Sequence, residues 1–568
     1  MKRFLITLLA LLLVFSTLLV SCGPKGDEAP ETPPADDSGN PPAPEGTGYT
    51  VTQSYLPAAV SSQMRTFFEG SDKSFAAHSA DRASAPFVMV DGTLTDCTLK
   101  SITIPVMFTG DADAGNCFIF TLSVVSLDLN GLNATLADPI QEIPIEISAT
   151  TYELQENKTI RKFIKVPLSQ YNITLGKNET LAFGAPDDTL HAAIVKTDTV
   201  DENDQKFPAA KYFIDNWGVL CYYFRDAEND GAFTISQSSL LFDVEYERTY
   251  ESEAAYQSIV SAKAAEESAY QSKLAAVKTA YQGKYISMMG DSISTCGGVT
   301  NNTEYNATIG SNAVYGPHQP TANSYHYSKI YWGRVATDTG MHLDVMNAWS
   351  GGRVYGKPDN YNDNMLKRSY QLANTQGVNP DVVLLYYGIN DINSSPSSIY
   401  ASGDKSSVSL PTGDLYQRLT NKGNKTTNEV VAQWFSEVQT KASNAGYVRT
   451  AANPVITPGT TYVCWEAAYA LALYNILNSY NGPEVYIMTL IETNHSSAAD
   501  GKLDRANTIL RAFAEYFGTG LIDQQKGYLN QSICHLYTYD TSGLHPNLKG
   551  HELMARLIVE TMYDRLSK

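Results

Sequence analysis

The spacing of the hydrophobic residues changes twice along this chain, and each change predicts a boundary between structural regions. From about residue 49 to 250 the apolar residues form short runs broken by Gly, Asp, Asn and Pro, whereas residues 251–283 repeat them at helical spacing. From residue 284 to 568, strand-like and helix-like segments alternate. A chain of 568 residues is too long for one compact domain. We therefore predict two domains, residues 49–250 and 284–568, joined by a helical connector.

The region from residue 49 to 250 has the pattern of an all-β domain. Its short runs are rich in β-branched and aromatic residues, as in Ser101–Phe108, Cys117–Leu127 and Leu240–Tyr246. Turn-forming residues such as Gly176-Lys177-Asn178 separate the runs. This spacing predicts an antiparallel β-sandwich, jelly-roll-like in its connections. Its sequence contains no catalytic constellation, which favours a role in ligand binding or spacing.

The connector, residues 251–283, is rich in Ala, Glu, Ser and Lys. The fragment Ala-Tyr-Gln-Ser occurs at Ala255 and again at Ala269, which indicates one apolar stripe. We predict one long amphipathic helix, or two helices, packed on a neighbouring domain. A coiled-coil partner is the alternative.

The last region, residues 284–568, is predicted to be an α/β domain with a mainly parallel sheet. The predicted strands are Tyr285–Met289, His342–Met346, Val382–Tyr387, Glu484–Ile491 and Gly520–Asp523. The predicted helices are Glu429–Lys441, Trp465–Ser479, Leu503–Phe517 and Leu548–Leu566. In open parallel sheets, ligands bind at the edge where the carboxyl ends of the strands meet.

Three short segments follow the first three of these strands, and a fourth precedes the last helix. They are Gly290-Asp291-Ser292, Asn347-Ala348-Trp349-Ser350-Gly351-Gly352-Arg353, Gly388-Ile389-Asn390-Asp391 and Leu544-His545-Pro546-Asn547. A serine hydroxyl becomes a good nucleophile when an imidazole removes its proton. Glycine backbone and amide side chains can present N–H donors to a bound oxygen. The segments therefore predict that a serine, a glycine-rich turn, an amide side chain and a histidine meet at this edge of the sheet.

Taken together and in this order, the four segments resemble the SGNH (GDSL) hydrolase family over residues 284–568, half of the chain. The resemblance implies a three-layer α/β/α sandwich with a flavodoxin-like parallel sheet. It also implies that Ser292 is the nucleophile and His545 the general base. The oxyanion hole would consist of the backbone N–H of Ser292, the backbone N–H of Gly352 and the side-chain amide of Asn390, with Gly351 as the alternative glycine.

The sequence departs from the family pattern at the acid of the triad. The family carries an Asp three residues before the catalytic His, but Ser542 occupies that position here and Asp540 lies five residues before His545. Three alternatives remain open. Asp540 orients the imidazole through a longer loop, a backbone carbonyl does so in a Ser–His dyad, or the enzyme is impaired.

The first 21 residues have the pattern of a signal peptide. Lys2 and Arg3 precede an apolar run from Phe4 to Val20, and Cys22 follows at a position that resembles the lipidated Cys of bacterial lipoproteins. The alternative is an ordinary secretory signal in which the Cys is incidental. We expect residues 1–21 to be a lipoprotein signal peptide.

Residues 22–48 are predicted to be a solvated, extended tether, because they are rich in Pro, Gly and acidic residues and have no periodicity. Asp27 and Glu28 loosely resemble the surface-export signals of Bacteroidota lipoproteins. We therefore expect an outer-membrane lipoprotein, held by Cys22 and exposed at the cell surface.

The charge balance argues against nucleic acid as a partner. Acidic residues number 60 against 41 basic ones, so the formal charge is −19 and the protein presents no broad cationic field. The cysteines have no metal-site spacing, and neither a P-loop nor a dinucleotide fingerprint is found. We expect no metal and no cofactor; a disulfide between Cys97 and Cys117 is left open.

Two long polar loops, Thr295–Tyr327 and Ile392–Asn428, leave the predicted active-site edge. Neither contains the apolar lid helix expected of a lipase. With the export signal and the β domain, they favour a surface carbohydrate esterase that removes acetyl or other short acyl groups from poly- or oligosaccharides. The alternatives are an impaired glycan-binding lipoprotein and a lipid-directed esterase or thioesterase.

Overall fold

The protein is described here by a computed structural model. The described residues are 48–55, 58, 62, 87–89, 96–108, 117–128, 135–136, 141–148, 160–177, 179–184, 194–196, 222–225, 233–236, 238–240, 243–295, 299–300, 314–316, 325–349, 351–354, 365–373, 377–393, 414–444, 464–493, 501–529, 544–546 and 548–567.

The described residues between 49 and 250 form mainly antiparallel strands. They are β1 (Tyr49–Ser54), β2 (Phe87–Met89), β3 (Cys97–Phe108), β4 (Cys117–Asp128), β5 (Thr135–Leu136), β6 (Gln141–Ser148), β7 (Ile160–Pro167), β8 (Thr174–Leu175), β9 (Glu179–Gly184), β10 (Ile194–Lys196), β11 (Tyr222–Arg225), β12 (Phe233–Ser236), β13 (Ser238–Leu240) and β14 (Asp243–Tyr250).

These strands form two main sheets. One has the order β1-β14-β3-β7 with β8 also on β3, and the other has the order β12-β11-β2-β9-β4-β5 with β6 also on β4. A separate pair joins β10 to β13. The predicted antiparallel β region is confirmed, while the packing of its sheets as a sandwich stays a prediction. Cys97 is a buried free thiol, so the disulfide to Cys117 is not formed.

One helix, α1 (Glu253–Tyr281), joins the two regions. It starts at Ser252, whose hydroxyl accepts the N–H of Ala255 at 3.1 Å and so caps the first turn. Val277 and Tyr281, in its last turns, are buried in the core of the α/β region. Residues 257–269 are exposed throughout. The prediction of a packed stripe is therefore right for the last turns and wrong for the middle of the helix.

The α/β region is built on a six-stranded parallel sheet in the order β17-β19-β15-β20-β21-β22. Its strands, with the short pair β16 and β18, are β15 (Tyr285–Gly290), β16 (Val299–Thr300), β17 (Val314–Gly316), β18 (Tyr325–His326), β19 (His342–Trp349), β20 (Val382–Tyr386), β21 (Glu484–Met488) and β22 (Gly520–Ile522). Without the edge strand β17, this is the flavodoxin-like order predicted for the domain.

The helices of this region are α2 (Ser292–Thr295), α3 (Tyr331–Thr339), α4 (Met365–Arg368), α5 (Ile389–Asn393), α6 (Leu415–Thr420), α7 (Thr427–Asn444), α8 (Trp465–Ser479), α9 (Lys502–Phe517) and α10 (Leu548–Leu566). Helices α1, α3 and α10 contact one another, and α6, α7, α8 and α9 form a second group. Both groups contact strands of the sheet, which gives the expected three layers.

The central strand β20 shows why this sheet is parallel and covered on both faces. Every residue from Val382 to Tyr386 is fully buried, and such a continuous apolar run needs helices on both sides of the sheet. Strand β19 runs on to Trp349, three residues beyond its predicted end, because β17 pairs with its last residues. Among the described residues, no helix is both long enough and apolar enough to span a membrane.

Candidate active site

The first loop of the site begins where β15 ends. Gly290 must be glycine, because a Cβ there would lie 1.9 Å from the hydroxyl oxygen of Ser294. The chain then passes through buried Asp291 into α2, so that Ser292 stands at the carboxyl edge of the central strands.

His545 reaches this serine from the far end of the chain. Its Nε2 lies 3.0 Å from the Oγ of Ser292. Leu544 and Pro546, on either side of it, are buried and anchor the segment just before α10. With Nε2 unprotonated, the hydroxyl donates to the ring, which is the geometry needed for proton removal.

A second histidine near the site has a different environment. His551 is fully buried on α10 and stacks on Tyr331 with ring centroids 5.9 Å apart. Burial, with smaller effects of Arg334 and His545, lowers the pKa of His551 to about 3. It is therefore neutral at physiological pH, and its ring lies in the core rather than at the serine.

Asp291, which precedes the serine, is completely buried. Its Oδ1 accepts the N–H of Ile293 at 3.0 Å, and its backbone carbonyl accepts the N–H groups of Ser294 and Thr295 at 3.1 Å. Its Oδ2 has no hydrogen-bond partner within the described part of the chain. Burial raises the pKa of this carboxyl to about 7, against the opposing effects of the Ile293 N–H and of His545. The carboxyl therefore belongs to the electrostatic environment of the Ser–His pair.

The second loop makes a tight turn after β19. The N–H of Gly352 donates to the carbonyl of Trp349 at 2.7 Å, and Gly351 has a φ of 76°. A positive φ is rarely adopted by residues with a side chain, so this position favours glycine. The Gly352 N–H is thus already bonded within the turn, whereas the N–H of Gly351 does not form the turn hydrogen bond. The oxyanion role of Gly352 stays a prediction.

The side chain of Asn347 fixes the start of this loop by hydrogen bonds. The side-chain amide of Asn347 donates to the carbonyls of Arg368 and Gln371 at 3.0 and 3.2 Å, and its oxygen accepts from the Arg368 guanidinium. That guanidinium is buried and lies 5.0 Å from the Trp349 ring. Asn347 therefore supports the loop and does not face the serine.

The third loop contacts the second through two consecutive side chains. The amide Nδ2 of Asn390 donates to the carbonyl of Gly352 at 3.0 Å. The carboxylate of Asp391 accepts the N–H of Val354 at 2.9 and 3.2 Å through its two oxygens. Gly388 has a φ of 129°, which L side chains rarely adopt, and a Cβ there would lie 3.2 Å from the Trp465 indole nitrogen.

The structure thus brings Ser292 next to His545, and Gly352 next to Asn390. Asp540 and Ser542 lie outside the described residues, so the orientation of the imidazole by an acid stays a prediction. The contact between Asp391 and Val354 could not be predicted from the sequence, which shows Asp391 only as the residue after Asn390. Within the described residues, no group of three or more His, Cys, Asp or Glu side chains could hold a metal ion.

Comparison with solved structures gives matches to about half of this chain. A proposed GDSL-like lipase from Parabacteroides merdae matches at 16% identity, over 50% of this chain and 96% of its own, with a TM-score of 0.27. A second GDSL-like lipase of this kind, from Bacteroides ovatus, matches at 17% identity over 50% of this chain and 99% of its own, with a TM-score of 0.28. An acetyl xylan esterase from Geobacillus stearothermophilus matches at 14% identity over 50% of this chain and 95% of its own, with a TM-score of 0.27. No protein-family model and no curated protein matches the chain.

The geometry of the chain itself defines the class of fold. The described residues after residue 284 form an α/β region with a flavodoxin-like strand order, and the described parts of the four motif segments lie at the ends of β15, β19 and β20 and before α10. The strand order and the places of these segments agree with the α/β fold that the resemblance to the SGNH (GDSL) hydrolase family implies.

Proposed function

We propose that the protein is a serine ester hydrolase of the SGNH type, with Ser292 as nucleophile and His545 as general base. The observation that carries the proposal is the 3.0 Å distance between the Ser292 Oγ and the His545 Nε2 at the carboxyl edge of the sheet. Nucleophile and base within hydrogen-bond reach are the signature of covalent acyl transfer.

In the acylation step, His545 takes the hydroxyl proton as the Ser292 Oγ attacks the acyl carbonyl carbon. The carbonyl electron pair moves to oxygen and forms a tetrahedral oxyanion. When that intermediate collapses, the bond to the leaving alcohol breaks and His545 returns the proton to the alcohol oxygen. Water then repeats the sequence on the acyl-serine, and the free acid leaves.

The oxyanion needs N–H donors that are in place before the reaction. Asn390 is proposed as one donor: its Nδ2 carries two hydrogens and lies 3.0 Å from the Gly352 carbonyl, to which it donates. The backbone N–H groups of Ser292 and of Gly352 or Gly351 are the others. Each such donor typically lowers the barrier by about 2.7 to 4 kcal/mol.

For the substrate, we propose an acylated poly- or oligosaccharide carrying acetyl or other short acyl groups. The support is the composition of the two polar loops, together with the pairing of β17 beside Asn347–Trp349. Val314–Gly316, which belong to the polar loop Thr295–Tyr327, thus lie beside the last residues of β19. Asp540 is proposed to orient His545.

We also propose that the mature protein is anchored at the outer membrane through a lipid on Cys22, followed by a tether to residue 48. Metabolic labelling with a fatty-acid analogue tests this. Wild type should be labelled and sediment with membranes, and Cys22→Ala should do neither. Unlabelled wild type in the membrane fraction would contradict the lipid anchor.

The test of the activity is hydrolysis by the soluble form that begins after Cys22. p-Nitrophenyl acetate, butyrate and octanoate probe the acyl length, and acetate release from acetylated xylan or pectin probes the glycan. Ser292→Ala should abolish turnover, while Ser272→Ala should not, because Ser272 is exposed on α1 and its hydroxyl donates to the carbonyl of Ser268 in the same helix.

The outcomes separate the candidate functions. Activity confined to short esters and acetylated glycans supports the proposal. Activity confined to octanoate favours a lipid-directed esterase or thioesterase. Binding of the glycans with no turnover above the Ser292→Ala background favours the impaired glycan-binding lipoprotein.

A further inference from the structure

We propose that Asp391 is a positioning residue of the oxyanion hole: it holds the Gly352–Val354 segment so that the Asn390 amide and the second loop keep the orientation that the reaction needs. This inference rests on the proposed function and extends it to a residue that does not contact the substrate.

The first step is the contact between Asp391 and Val354. Asp391 is fully buried on α5, and both of its oxygens lie within 3.2 Å of the Val354 backbone nitrogen. Val354 is itself fully buried, so removing the acceptor would leave a buried backbone N–H unpaired, which is unfavourable. Asp391 therefore fixes the far end of the second loop, which lies two residues after Gly352.

Asn390 contacts the other end of the Gly352–Val354 segment. Asn390, the preceding residue, donates its Nδ2–H to the Gly352 carbonyl at 3.0 Å. Two neighbouring side chains of α5 thus hold one carbonyl and one N–H of the second loop. The Gly352 N–H completes the arrangement by donating to the Trp349 carbonyl at 2.7 Å.

The bonds of Asp391 to Val354 and of Asn390 to Gly352, called the clamp below, act on the reaction through the Asn390 amide. One hydrogen of the Asn390 amide is held on Gly352, so the direction of the other hydrogen depends on where the Gly352 peptide lies. If the bond to Val354 is lost, the second loop can shift, and the amide turns with it. A displaced donor stabilises the transition state less, whereas ground-state binding is little affected.

The experiment is a double-mutant cycle on kcat and KM for a p-nitrophenyl ester, with Asp391→Ala, Asn390→Ala and the double variant. Asp391→Ala should lower kcat by about 10- to 100-fold with KM changed by less than about threefold. Asn390→Ala should cost about 100- to 1000-fold. In the Asn390→Ala background, removal of Asp391 should cost less than about threefold more, since the group it positions is absent.

Asp391→Asn serves as the conservative variant, because its side-chain oxygen can still accept the Val354 N–H. It should keep kcat within about fivefold of wild type. Asp381→Ala is the matched control: the Asp381 carboxylate also accepts a backbone N–H, that of Tyr285 at 2.8 Å, but it does so before β20, at the opposite edge of the sheet. It should leave kcat unchanged.

Hydrogen exchange of the Gly352–Val354 segment gives a readout that does not need turnover. Faster exchange in Asp391→Ala than in wild type and Asp381→Ala supports the clamp. Unchanged exchange in Asp391→Ala would overturn the proposal. A second result would also overturn it: if Asp391→Ala lowers kcat by the same factor with and without Asn390, Asp391 does not act through the Asn390 amide. Wild type that shows no Ser292-dependent turnover overturns the proposed function itself, and the exchange measurement then still decides whether the clamp exists.

Discussion

The Nε2 of His545 lies 3.0 Å from the Oγ of Ser292, although 253 positions separate the two residues along the chain. One residue follows the first strand of the parallel sheet and the other precedes the last helix. The sheet therefore brings the two ends of the region together at one edge, and the pair depends on the whole fold rather than on a local motif.

The first prediction concerns how the two residues act together. A serine without its base and a base without its serine both lose the nucleophilic step, so Ser292→Ala and His545→Ala should each lower kcat by at least about 1000-fold. The double variant should be about as inactive as either single one, because residues that act as a unit are non-additive. Single-turnover kinetics with a p-nitrophenyl ester measure this. A His545→Ala variant within tenfold of wild type would show that another group is the base.

The second prediction separates the two glycines of the second loop. A Cβ at Gly352 would lie 2.6 Å from the Trp349 carbonyl oxygen and 3.1 Å from the Tyr387 ring, whereas a Cβ at Gly351 would meet nothing within 4 Å. Gly352→Ala should therefore displace the loop and lower kcat by more than about tenfold. Gly351→Ala should keep most of the activity, since its N–H remains.

Gly351→Ala should instead lower the free energy of unfolding. Its φ of 76° is unfavourable for alanine by about 1 kcal/mol. Thermal unfolding, run beside the kinetics, measures this loss. Equal kcat for the two alanine variants would contradict the assignment of the close approach to Gly352.

Much of this site could be predicted from the sequence because parallel strands place their carboxyl ends at one edge. Ser292, Asn390 and His545 each follow a strand or precede a helix, and such positions can be recognised from periodicity alone. The long apolar run of β20 and the helical spacing of α8 and α10 were equally clear. For α8 and α10, the predicted and observed bounds coincide.

The remaining features depend on contacts between segments that are distant in sequence. Strand β17 is three residues long and lies within a polar loop, so no periodicity marks it. The bond from Asp391 to Val354 depends on how two loops meet, and a carboxylate after Asn390 has many other uses. The exposed middle of α1 could not be distinguished from a packed helix, because its apolar residues keep helical spacing whether or not a neighbour covers them.

The third prediction is a loss of stability in acid caused by His551. Its pKa is lowered by burial from the ordinary value of 6.5 to about 3 in the folded protein. Between these values the unfolded chain binds a proton that the folded protein does not, so stability falls as pH falls through this window. Between pH 7.5 and 4.5, wild type should lose about 2 to 3 kcal/mol more than His551→Phe.

Urea unfolding of both proteins at the two pH values measures this difference. The quantity compared is the change in the free energy of unfolding between the two pH values, not its absolute value at either one. His342→Gln is the control, because His342 is exposed at the start of β19. It should lose as much stability as wild type over the same range. Parallel losses in wild type and His551→Phe would show that His551 does not resist protonation in the folded state.

The fourth prediction concerns Glu466, a carboxyl buried at the start of α8. Its Oε2 accepts the N–H of Leu415 at 2.9 Å, and its Oε1 has no hydrogen-bond partner among the described residues. Burial, reinforced by the nearby Asp414 carboxylate and opposed by the Leu415 N–H, raises its pKa from 4.5 to about 8. The folded protein therefore keeps this proton up to about pH 8, while the unfolded chain releases it above about 4.5.

In that window the folded state binds more protons than the unfolded state, so the contribution of Glu466 to stability falls as pH rises from about 4.5 to 8. Glu466→Gln keeps an oxygen for the Leu415 N–H and removes the titration. Its stability relative to wild type should therefore increase by several kcal/mol, about 1.4 per pH unit, between pH 4.5 and 8. Urea unfolding at half-unit steps of pH measures this increase, and a constant difference between the two proteins across the range would show that Glu466 is ionised in the folded state.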